Sequence, residues 1–398
     1  MLKMSGVSKM LEKYFPYNKK YKKKYNLNFL LQIYNDINDG FHFVEENKNN
    51  FYNISVENDF QNPSDFNLIP ESIKENIKNN LFNCLSFSFV LINRRIKIYF
   101  ILKESVTKKI IKKYNYFVIL MTVWLHIISS NASHNCVEEL NVYVYLSDEL
   151  KHLPTRPNVI LDQVNANTAF TRLCSEIIIF REEEWFKVFI HETMHNFNMD
   201  FSNMNNRGCN QEIKNIFYVN SKINLYESYV EFWARIMNIS FISYLHASNF
   251  NNFAKVFERL INIEISYSTF QMNKILNYMD LTYDDIITNF QENYRENTNI
   301  LAYFVITNIL MFNYVDFLFW CEDNNNNLYD FKKTNKNLLN FCEFIKNKYD
   351  EPKYLENLQE IFENINENES EKNKNKNKKN KKINYLMNNL RMTIYELI

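Results

Sequence analysis

Short apolar stretches broken by polar residues mark the first third of the chain. Residues 85–92 and 96–102 are rich in β-branched and aromatic side chains and flank a polar break at residues 93–95. This arrangement predicts a β-hairpin over residues 85–102. A longer apolar stretch at residues 106–129 predicts a helix.

Three further strands are predicted in the centre of the chain. Residues 140–146, LNVYVYL, follow the alternating pattern of a strand. Residues 167–173 predict a short strand, and residues 176–180, EIIIF, predict a more strongly apolar one. The central region therefore has β-structure directly before its first helical pattern.

Helical periodicity dominates from there on. A helix is predicted from about residue 182 to residue 198, with the carboxylates of residues 182–184 in its first turn, where they favour the positive helix end. Asn198 is expected to cap its C-terminal end, since asparagine tolerates the left-handed conformation. A second strong helix is predicted over residues 225–245, and further helices over residues 250–350.

The predicted elements give an α+β protein. Residues 364–382 are a low-complexity run of Asn, Lys and Glu, which indicates a disordered, solvated loop rather than a nucleic-acid contact. Residues 386–398 regain an apolar pattern, so this loop interrupts the folded chain. The predicted divisions are an N-terminal α+β region over 1–130, a central region over 131–250, a helical C-terminal region over 251–363, the loop over 364–382 and a C-terminal element over 383–398.

Composition narrows the possible partners and compartment. The 398 residues include 46 basic and 46 acidic side chains, so no overall field favours nucleic acid or an anionic membrane. The longest apolar run, residues 116–128, is shorter than the roughly 20 residues of a membrane span, which favours a buried helix. No signal peptide is seen in the lysine-rich residues 1–26, and six scattered cysteines without a CxxC pair indicate reduced thiols. A cytoplasmic, non-secreted protein is therefore expected.

The sequence HETMH at residues 191–195 carries the main chemical signal. On a helix, His191 and His195 lie on the same face and can both bind one zinc ion at about 2.0–2.1 Å. Glu192 is rotated by about 100°, which puts its carboxylate beside the metal, where it can accept a proton from water and pass it to the leaving amine. The alternative is a helix whose histidines are merely buried and hydrogen-bonded.

A catalytic zinc site usually has three protein ligands, and Glu227 is a better candidate for the third than the residues that directly follow the motif. Glu227 and Glu231 lie one turn apart on an otherwise apolar predicted helix, where a carboxylate pair is costly to bury unpaired. One carboxylate would bind zinc and the other would accept the spare N–H of His191 or His195. The alternative is a pair of surface glutamates facing solvent.

Other positions after the motif are weaker candidates. A histidine six residues after His195 would extend the motif as in metzincins, but that position holds Phe201, and Asn198 stands where glycine is wanted. Asp200 is one residue short of the register in which an aspartate could substitute. Cys209 is conceivable as a thiolate ligand.

The HETMH and ESYVE motifs together resemble the gluzincin clan of zinc metallopeptidases, in which HExxH precedes ExxxD or ExxxE on a second helix. The resemblance implies His191, His195 and Glu227 as the ligands of one Zn²⁺. It also implies Glu192 as the general base and Glu231 as the hydrogen-bond partner of a ligand histidine. The polar interval between the two motifs is longer than in the best-known gluzincins, and no exopeptidase signature is present.

The order of elements before HETMH resembles the thermolysin-like zincin fold, which would make residues 131–250 the catalytic core. By analogy the backbone around Asn167 and Ala169 would bind substrate as an added β-strand. The region of residues 140–245 also resembles uncharacterised HExxH proteins of large DNA viruses, which would place the protein in host cytoplasm or virion. Outside that region no resemblance informs the function.

These residues favour a zinc metallopeptidase, expected to be an endopeptidase acting on a peptide or protein substrate. An oxyanion donor is required, for which Tyr218, Tyr226 and His246 are candidates. One alternative is a zincin-fold structural or virion-associated protein without catalysis, and another is an interaction protein without metal. No nucleic-acid or membrane partner is expected, and the oligomeric state stays open.

Overall fold

The computed structural model describes residues 4–15, 17, 28–48, 51–132, 138–156, 159–372 and 379–397. Helices and strands both contribute to it, which confirms the predicted α+β class. The strands are β1 (Asn53–Glu57), β2 (Asn83–Leu91), β3 (Arg94–Leu102), β4 (Glu139–Tyr145), β5 (Ala169–Thr171) and β6 (Ile177–Ile179).

Helices pack on both faces of the sheet, and they are the regular elements of the described chain after β6. Up to residue 214 they are α1 (Gly6–Leu11), α2 (Asn28–Glu46), α3 (Glu71–Asn80), α4 (Lys108–Asn131), α5 (Gln163–Ala166), α6 (Trp185–Asn196) and α7 (Arg207–Lys214). Beyond it they are α8 (Leu225–Leu245), α9 (Phe250–Tyr278), α10 (Tyr283–Thr288), α11 (Thr307–Phe312), α12 (Tyr314–Asn324), α13 (Asn335–Lys346), α14 (Pro352–Lys372) and α15 (Lys379–Asn388). Residues Leu301–Ile306 form a π-helix that leads into α11.

In the described part of the chain the strands form one six-stranded sheet, in the order β1-β2-β3-β4-β6-β5. The predicted hairpin is the antiparallel pair β2–β3. Its turn is shorter than expected and consists of Ile92 and Asn93, both with positive φ, at 47° and 62°. Two such residues match the twist of the flanking strands, so Arg94 already belongs to β3.

The apolar run at residues 116–128 lies in α4, which connects β3 to its parallel neighbour β4. Most of its side chains are buried in the main hydrophobic core, as the prediction of a buried helix required. No single helix of the described residues combines the length and apolar character that a bilayer crossing needs. The consecutive pair Leu301–Phe312 and Tyr314–Asn324 reaches that character only when taken together, and it is bent by 91°.

The opposite face of the sheet carries a smaller core. There α3 and the preceding turn pack Phe66, Ile73 and Ile77 against Tyr145 of β4 and Phe180 after β6. Strand β6 is a continuous apolar run, because both of its faces are buried. The edge strand β5 stays open on the side away from β6.

The C-terminal segment, residues 389–397, runs through the interior of the protein. Its main chain bonds to Lys151 and to Asn238 of α8, and Ile394 donates to Glu264 of α9. Strand β3 from the predicted N-terminal region also pairs with β4 from the predicted central region. The described chain therefore shares one hydrophobic core across the predicted boundaries at residues 130 and 250.

The predicted loop at residues 364–382 differs from the structure. Residues 364–372 continue α14 and residues 379–382 begin α15, while residues 373–378 lie outside the described residues. Lysine and glutamate are common in disordered segments. Lysine and glutamate are also good helix formers, so low complexity alone does not distinguish the two states.

The expectation of reduced thiols is wrong for Cys174, Cys209 and Cys342, each of which is disulfide-bonded. Cys209 of α7 and Cys342 of α13 form a disulfide with their Cα atoms 5.9 Å apart. They are separated by 133 residues in sequence. No local spacing could indicate this pairing, because the packing of α7 on α13 brings them together. The disulfide also removes Cys209 as a metal ligand.

Candidate metal centre

Helix α6 carries HETMH through the middle of the protein. It lies between β5 and β6 on one side and α4 and α8 on the other, and 11 of its 12 residues are buried. The indole of Trp124 in α4 donates to the hydroxyl of Thr193, which fixes the rotation of α6 about its axis. A helix held on all sides presents its histidines in one orientation.

The three glutamates before α6 do not occupy its first turn as predicted. The helix begins at Trp185, and Glu184 is its N-cap residue with a left-handed φ of 62°. The Glu184 carboxylate accepts the backbone N–H groups of Met392 and Thr393 and pairs with Lys151. The Glu184 carboxylate therefore binds the C-terminal segment instead of lying in the first turn of the helix.

The end of α6 agrees with the sequence expectation in part. Phe197 is the C-cap residue, and Asn198 follows it with a left-handed φ of 56°. The chain reverses there and brings residues 199–202 back beside His195.

Three ligand-type atoms from α6 and α8 meet at one point. The Nε2 atoms of His191 and His195 are 3.1 Å apart, and each lies 3.3 Å from Oε2 of Glu227. Donors bound tetrahedrally to zinc at about 2.0–2.1 Å lie about 3.3 Å from one another. The side chains are 7%, 15% and 12% exposed in that order, so a metal would be reached from one side only.

The protonation pattern of these rings also fits a cation. Nδ1 of His191 donates to Oε2 of Glu231 at 3.1 Å, and Nδ1 of His195 donates to Asp200. When both rings are neutral, each then turns the lone pair of Nε2 toward the other ring and toward the Glu227 oxygen. Three acceptors this close together repel one another unless a positive charge lies between them. The donor set and its spacing therefore fit a zinc ion.

The charges around the centre are negative. Burial opposes protonation of His191, yet its hydrogen bonds to Glu227 and Glu231 raise its pKa. Burial likewise opposes protonation of His195, but the charges of Asp200 and Glu227 raise its pKa well above the usual value. A field that attracts a proton to both rings also attracts a metal cation.

Glu231 is fully buried and strongly bound. Its Oε1 accepts from Nε of Arg235 at 2.9 Å, and both of its oxygens lie 3.0 Å from Nζ of Lys187. Burial alone would raise the pKa of Glu231, but Lys187, the hydrogen bond from His191 and Arg235 lower it well below the usual range. Glu231 stays ionised, and the interpretation of Glu227 and Glu231 as surface glutamates is wrong.

Glu192 lies beside the three ligand atoms and lines the cleft. Its side chain is buried, and this burial raises its pKa, with a further contribution from the charge of Glu227. The two neighbouring imidazoles act in the opposite direction. A carboxylate with a raised pKa holds a proton more readily than an exposed one, as a general base must.

A polar cleft of about 650 Å³ opens above the centre. Asn167 and Ala169, the predicted substrate-binding residues, both line it. The N–H of Phe180 bonds to the carbonyl of Thr168, so the next pair along β5 and β6, Ala169 and Ile179, is a non-hydrogen-bonded one. The N–H and C=O of Ala169 therefore point away from β6 toward the open edge.

The predicted oxyanion donors separate into two groups. Tyr226 lines the cleft, and its ring is 5.9 Å from that of His195. Tyr218 is 39% exposed and does not line the cleft, and neither does His246. Tyr303 of the π-helix, which no sequence pattern indicated, lines the cleft with its ring 6.1 Å from that of His191.

Sequence reasoning missed Lys187, Asp200 and Tyr303 at this site. Lys187 precedes His191 by four residues, a spacing that places both side chains on the same helix face and could have indicated that Lys187 lies near the site. Asp200 was considered as a ligand and not as the partner of a ligand. Tyr303 lies 76 residues beyond Glu227 in a segment without a motif, so nothing in the sequence distinguished it.

Comparison with known proteins gives little further information. No protein-family model and no solved structure matches the chain. Over 151 residues, 34% of this chain, it is 24% identical to the uncharacterised protein R210 of Acanthamoeba polyphaga mimivirus. The matched region spans 38% of that relative's length.

Proposed function

We propose that this protein is a zinc-dependent metallopeptidase of the gluzincin type. The observation that carries the proposal is the arrangement of His191, His195 and Glu227, whose three ligand atoms are 3.1–3.3 Å apart with Glu192 beside them. A purely structural helix has no use for three inward-facing acceptors and an adjacent buried carboxylate. Hydrogen bonds from both rings to carboxylates support it further, since such partners are typical of zinc-binding histidines.

Each of these residues has a distinct role in the proposed peptide hydrolysis. A zinc ion held by these ligands would supply Lewis-acid activation of the scissile carbonyl and of water. The carboxylate of Glu192 takes a proton from the attacking water and delivers it to the nitrogen of the leaving amine. Asp200 and Glu231 keep the two imidazoles in the tautomer that leaves Nε2 free for the metal.

The edge of β5 is suited to holding an extended substrate. The free N–H and C=O of Ala169 can pair with a peptide lying along the edge, which adds a strand to the sheet. The side-chain amide of Asn167 is next to this position in the cleft. Main-chain pairing would fix the scissile bond over the centre without demanding a particular side chain.

Tyr303 is the donor we assign to the oxyanion. Its hydroxyl lies 3.5 Å from Nδ2 of Asn299, which in turn donates to Oε1 of Glu227 at 3.0 Å. Burial raises the pKa of Tyr303 well above the usual value, and the charge of Glu227 adds to this. The phenol therefore stays protonated and available to donate to a developing negative charge. Tyr226 is the second candidate.

Replacing the proposed base, Glu192, distinguishes a catalytic metal site from a non-catalytic one. Purified Glu192→Gln protein should retain one zinc ion per chain and lose cleavage of a peptide library, while His191→Ala should lose the zinc. Glu322→Gln, an exposed glutamate of α12, is the matched control and should retain both. Metal-replete protein without stoichiometric zinc would refute the proposal. Zinc without cleavage in wild type would favour the non-catalytic alternative.

A further inference from the structure

A segment that follows α10 crosses one end of the cleft. We call residues 294–299 the bridging segment. On the side of β5, the N–H of Asn297 donates to the carbonyl of Leu161 at 2.8 Å, and the hydroxyl of Thr298 donates to Oδ1 of Asn167 at 2.8 Å. Both acceptors precede β5, so the bridging segment is tied to the beginning of the substrate-binding edge.

The same segment is tied to the opposite side of the cleft, where α8 begins. Nδ2 of Asn224 donates to Oδ1 of Asn299 at 2.8 Å, and Nδ2 of Asn299 donates to Oε1 of Glu227. The hydroxyl of Ser221 donates to Glu296. The bridging segment thus spans the cleft from the edge strand to the helix that carries the third ligand.

This connection limits what can lie in the cleft. Glu296, Asn297, Thr298 and Asn299 all line it, next to Asn167 and Glu227. An extended peptide following the edge of β5 meets the bridging segment immediately beyond Asn167. A chain that continued through the cleft in both directions would have to break the hydrogen bonds on one side. The cleft therefore fits a chain end better than the middle of a polypeptide.

The chemistry at the bridged end distinguishes the two chain ends. Lys222 is the one lysine or arginine among the described residues that line the cleft, and it directly follows Ser221. Amide side chains of Asn224 and Asn297 line the same end and can donate hydrogen bonds. These groups suit an α-carboxylate.

An α-ammonium group would need a carboxylate that is ready to accept, and Glu296 is poorly suited to that role. Its Oε1 accepts from Ser221, and its Oε2 accepts from the hydroxyl of Tyr294 at 2.9 Å and from the N–H of Leu301 at 2.8 Å. Burial also raises the pKa of Glu296 to about 7, which reduces its negative charge near neutral pH.

We propose that the cleft binds peptides by their C-terminal end, with Lys222 receiving the terminal carboxylate, and that the enzyme removes one or a few residues from that end. This rests on the proposed peptidase function and replaces the endopeptidase expected from the sequence. Water adds across the scissile C–N bond: its oxygen becomes part of the new carboxylate of the shortened peptide, and the released fragment leaves with a free amine. No further co-reactant is required.

Three versions of one peptide test this with the zinc-loaded full chain: the free acid, the C-terminal amide and the N-acetylated acid, with products followed by mass spectrometry. We expect loss of C-terminal fragments, a kcat/KM about tenfold lower for the amide, and no effect of N-acetylation. Equal cleavage of acid and amide, or internal cleavage of a peptide blocked at both ends, would overturn the inference while leaving the peptidase function intact.

Binding provides a second readout that does not depend on turnover. Zinc-loaded Glu192→Gln protein should bind the N-terminally fluorescein-labelled acid about tenfold more tightly than the labelled amide in an anisotropy titration. If no peptide is cleaved by wild type, the proposed function fails, and this titration still decides whether the cleft prefers a terminal carboxylate. Equal affinity for acid and amide would overturn it.

The Lys222→Ala variant tests whether Lys222 causes the preference for the free acid over the amide, with Lys214→Ala as the matched control. Both lysines are exposed, and Lys214 of α7 does not line the cleft. The Lys222→Ala variant should raise KM for the free acid about tenfold and leave the amide unchanged, and so abolish the preference. Lys214→Ala should behave as wild type. A full acid preference in Lys222→Ala would overturn the proposal as stated.

Discussion

Lys187 and His191 lie one turn apart on α6 and share one carboxylate, that of Glu231. Nζ of Lys187 is 3.0 Å from both oxygens of Glu231, and Nδ1 of His191 is 3.1 Å from Oε2. Lys187 and Glu231 are 2% and 1% exposed. A buried cation thus holds the carboxylate that orients His191, a proposed metal ligand, so we expect stability and metal affinity to be coupled through one ion pair.

Lys187→Met tests this coupling. Without the ammonium group, Glu231 retains Arg235 and His191 as partners but has lost a buried countercharge. The free energy of unfolding of the metal-free protein should fall by about 3 kcal/mol, since a broken buried pair leaves an uncompensated charge. Zinc affinity should fall about tenfold, because Glu231 is held less firmly against His191. Chemical denaturation with chelator and zinc competition titrations measure the two effects.

The control for Lys187→Met is Lys255→Met on α9, an exposed lysine away from the centre. It should leave both quantities unchanged. A folded Lys187→Met protein with wild-type zinc affinity would show that the ion pair stabilises the fold without positioning the histidine.

Asp200→Asn tests the partner of the other ligand. Asp200 is fully buried, its Oδ1 accepts from the N–H and hydroxyl of Ser202, and its Oδ2 accepts from Nδ1 of His195. Asparagine is nearly the same size but carries no charge, so the ring of His195 loses its charged acceptor. We expect zinc affinity to fall about 10–100-fold with little change in fold, as measured by zinc competition and circular dichroism.

Asp280→Asn is the matched substitution for that experiment. Asp280 lies after α9 with a left-handed φ of 56°, a conformation that asparagine accepts well. It should bind zinc as wild type does. Equal zinc affinity in both variants would contradict a positioning role for Asp200.

Local periodicity explains which parts of the structure were predictable. The predicted helix at residues 225–245 has those bounds in the structure, and HETMH lies on a helix as expected. In both cases the signal is a spacing of three or four residues, which a helix converts directly into a shared face. The strands at residues 140–146 and 176–180 are likewise found within one residue or so of their predicted ends.

Contacts between distant segments were not predictable in the same way. The glutamates at residues 182–184 were expected to interact with the helix dipole, yet Glu184 binds the chain near residue 392, over 200 residues away. The Cys209–Cys342 disulfide and the bridging segment across the cleft also depend on how helices pack. Local pattern contains no information about such pairings, so the site was predicted and its surroundings were not.

The Tyr303→Phe variant tests whether Tyr303 or Tyr226 is the oxyanion donor. Loss of the hydroxyl removes a hydrogen bond that would form to the developing charge, so kcat should fall about 100-fold with zinc content unchanged. Tyr218→Phe serves as the control, because Tyr218 is 39% exposed and lies outside the cleft lining. Steady-state kinetics on one peptide decide the matter. Wild-type kcat in Tyr303→Phe would transfer the assignment to Tyr226.

Glu264 should make the stability of the protein depend on pH. This carboxyl group of α9 is fully buried, with Oε2 accepting from the N–H of Ile394 at 3.0 Å and Oε1 without a hydrogen bond among the described residues. Burial raises its pKa to about 7, although the charge of Arg235 acts in the opposite direction. The fold therefore favours the protonated form, whereas the unfolded chain ionises near the usual glutamate value.

The sign of the effect follows from the raised pKa. The contribution of Glu264 to stability is complete below the pKa of the unfolded chain, about 4.3, and is lost as pH rises to about 7. Over that window the loss amounts to about 4 kcal/mol, at about 1.4 kcal/mol per unit of pKa shift. Glutamine cannot ionise, so the free energy of unfolding of Glu264→Gln should rise relative to that of wild type as pH increases from about 5 to 8. Urea unfolding with chelator across this pH range measures the difference in stability, with Glu322→Gln as the control. A difference between Glu264→Gln and wild type that stays constant with pH would contradict the buried, protonated state of Glu264.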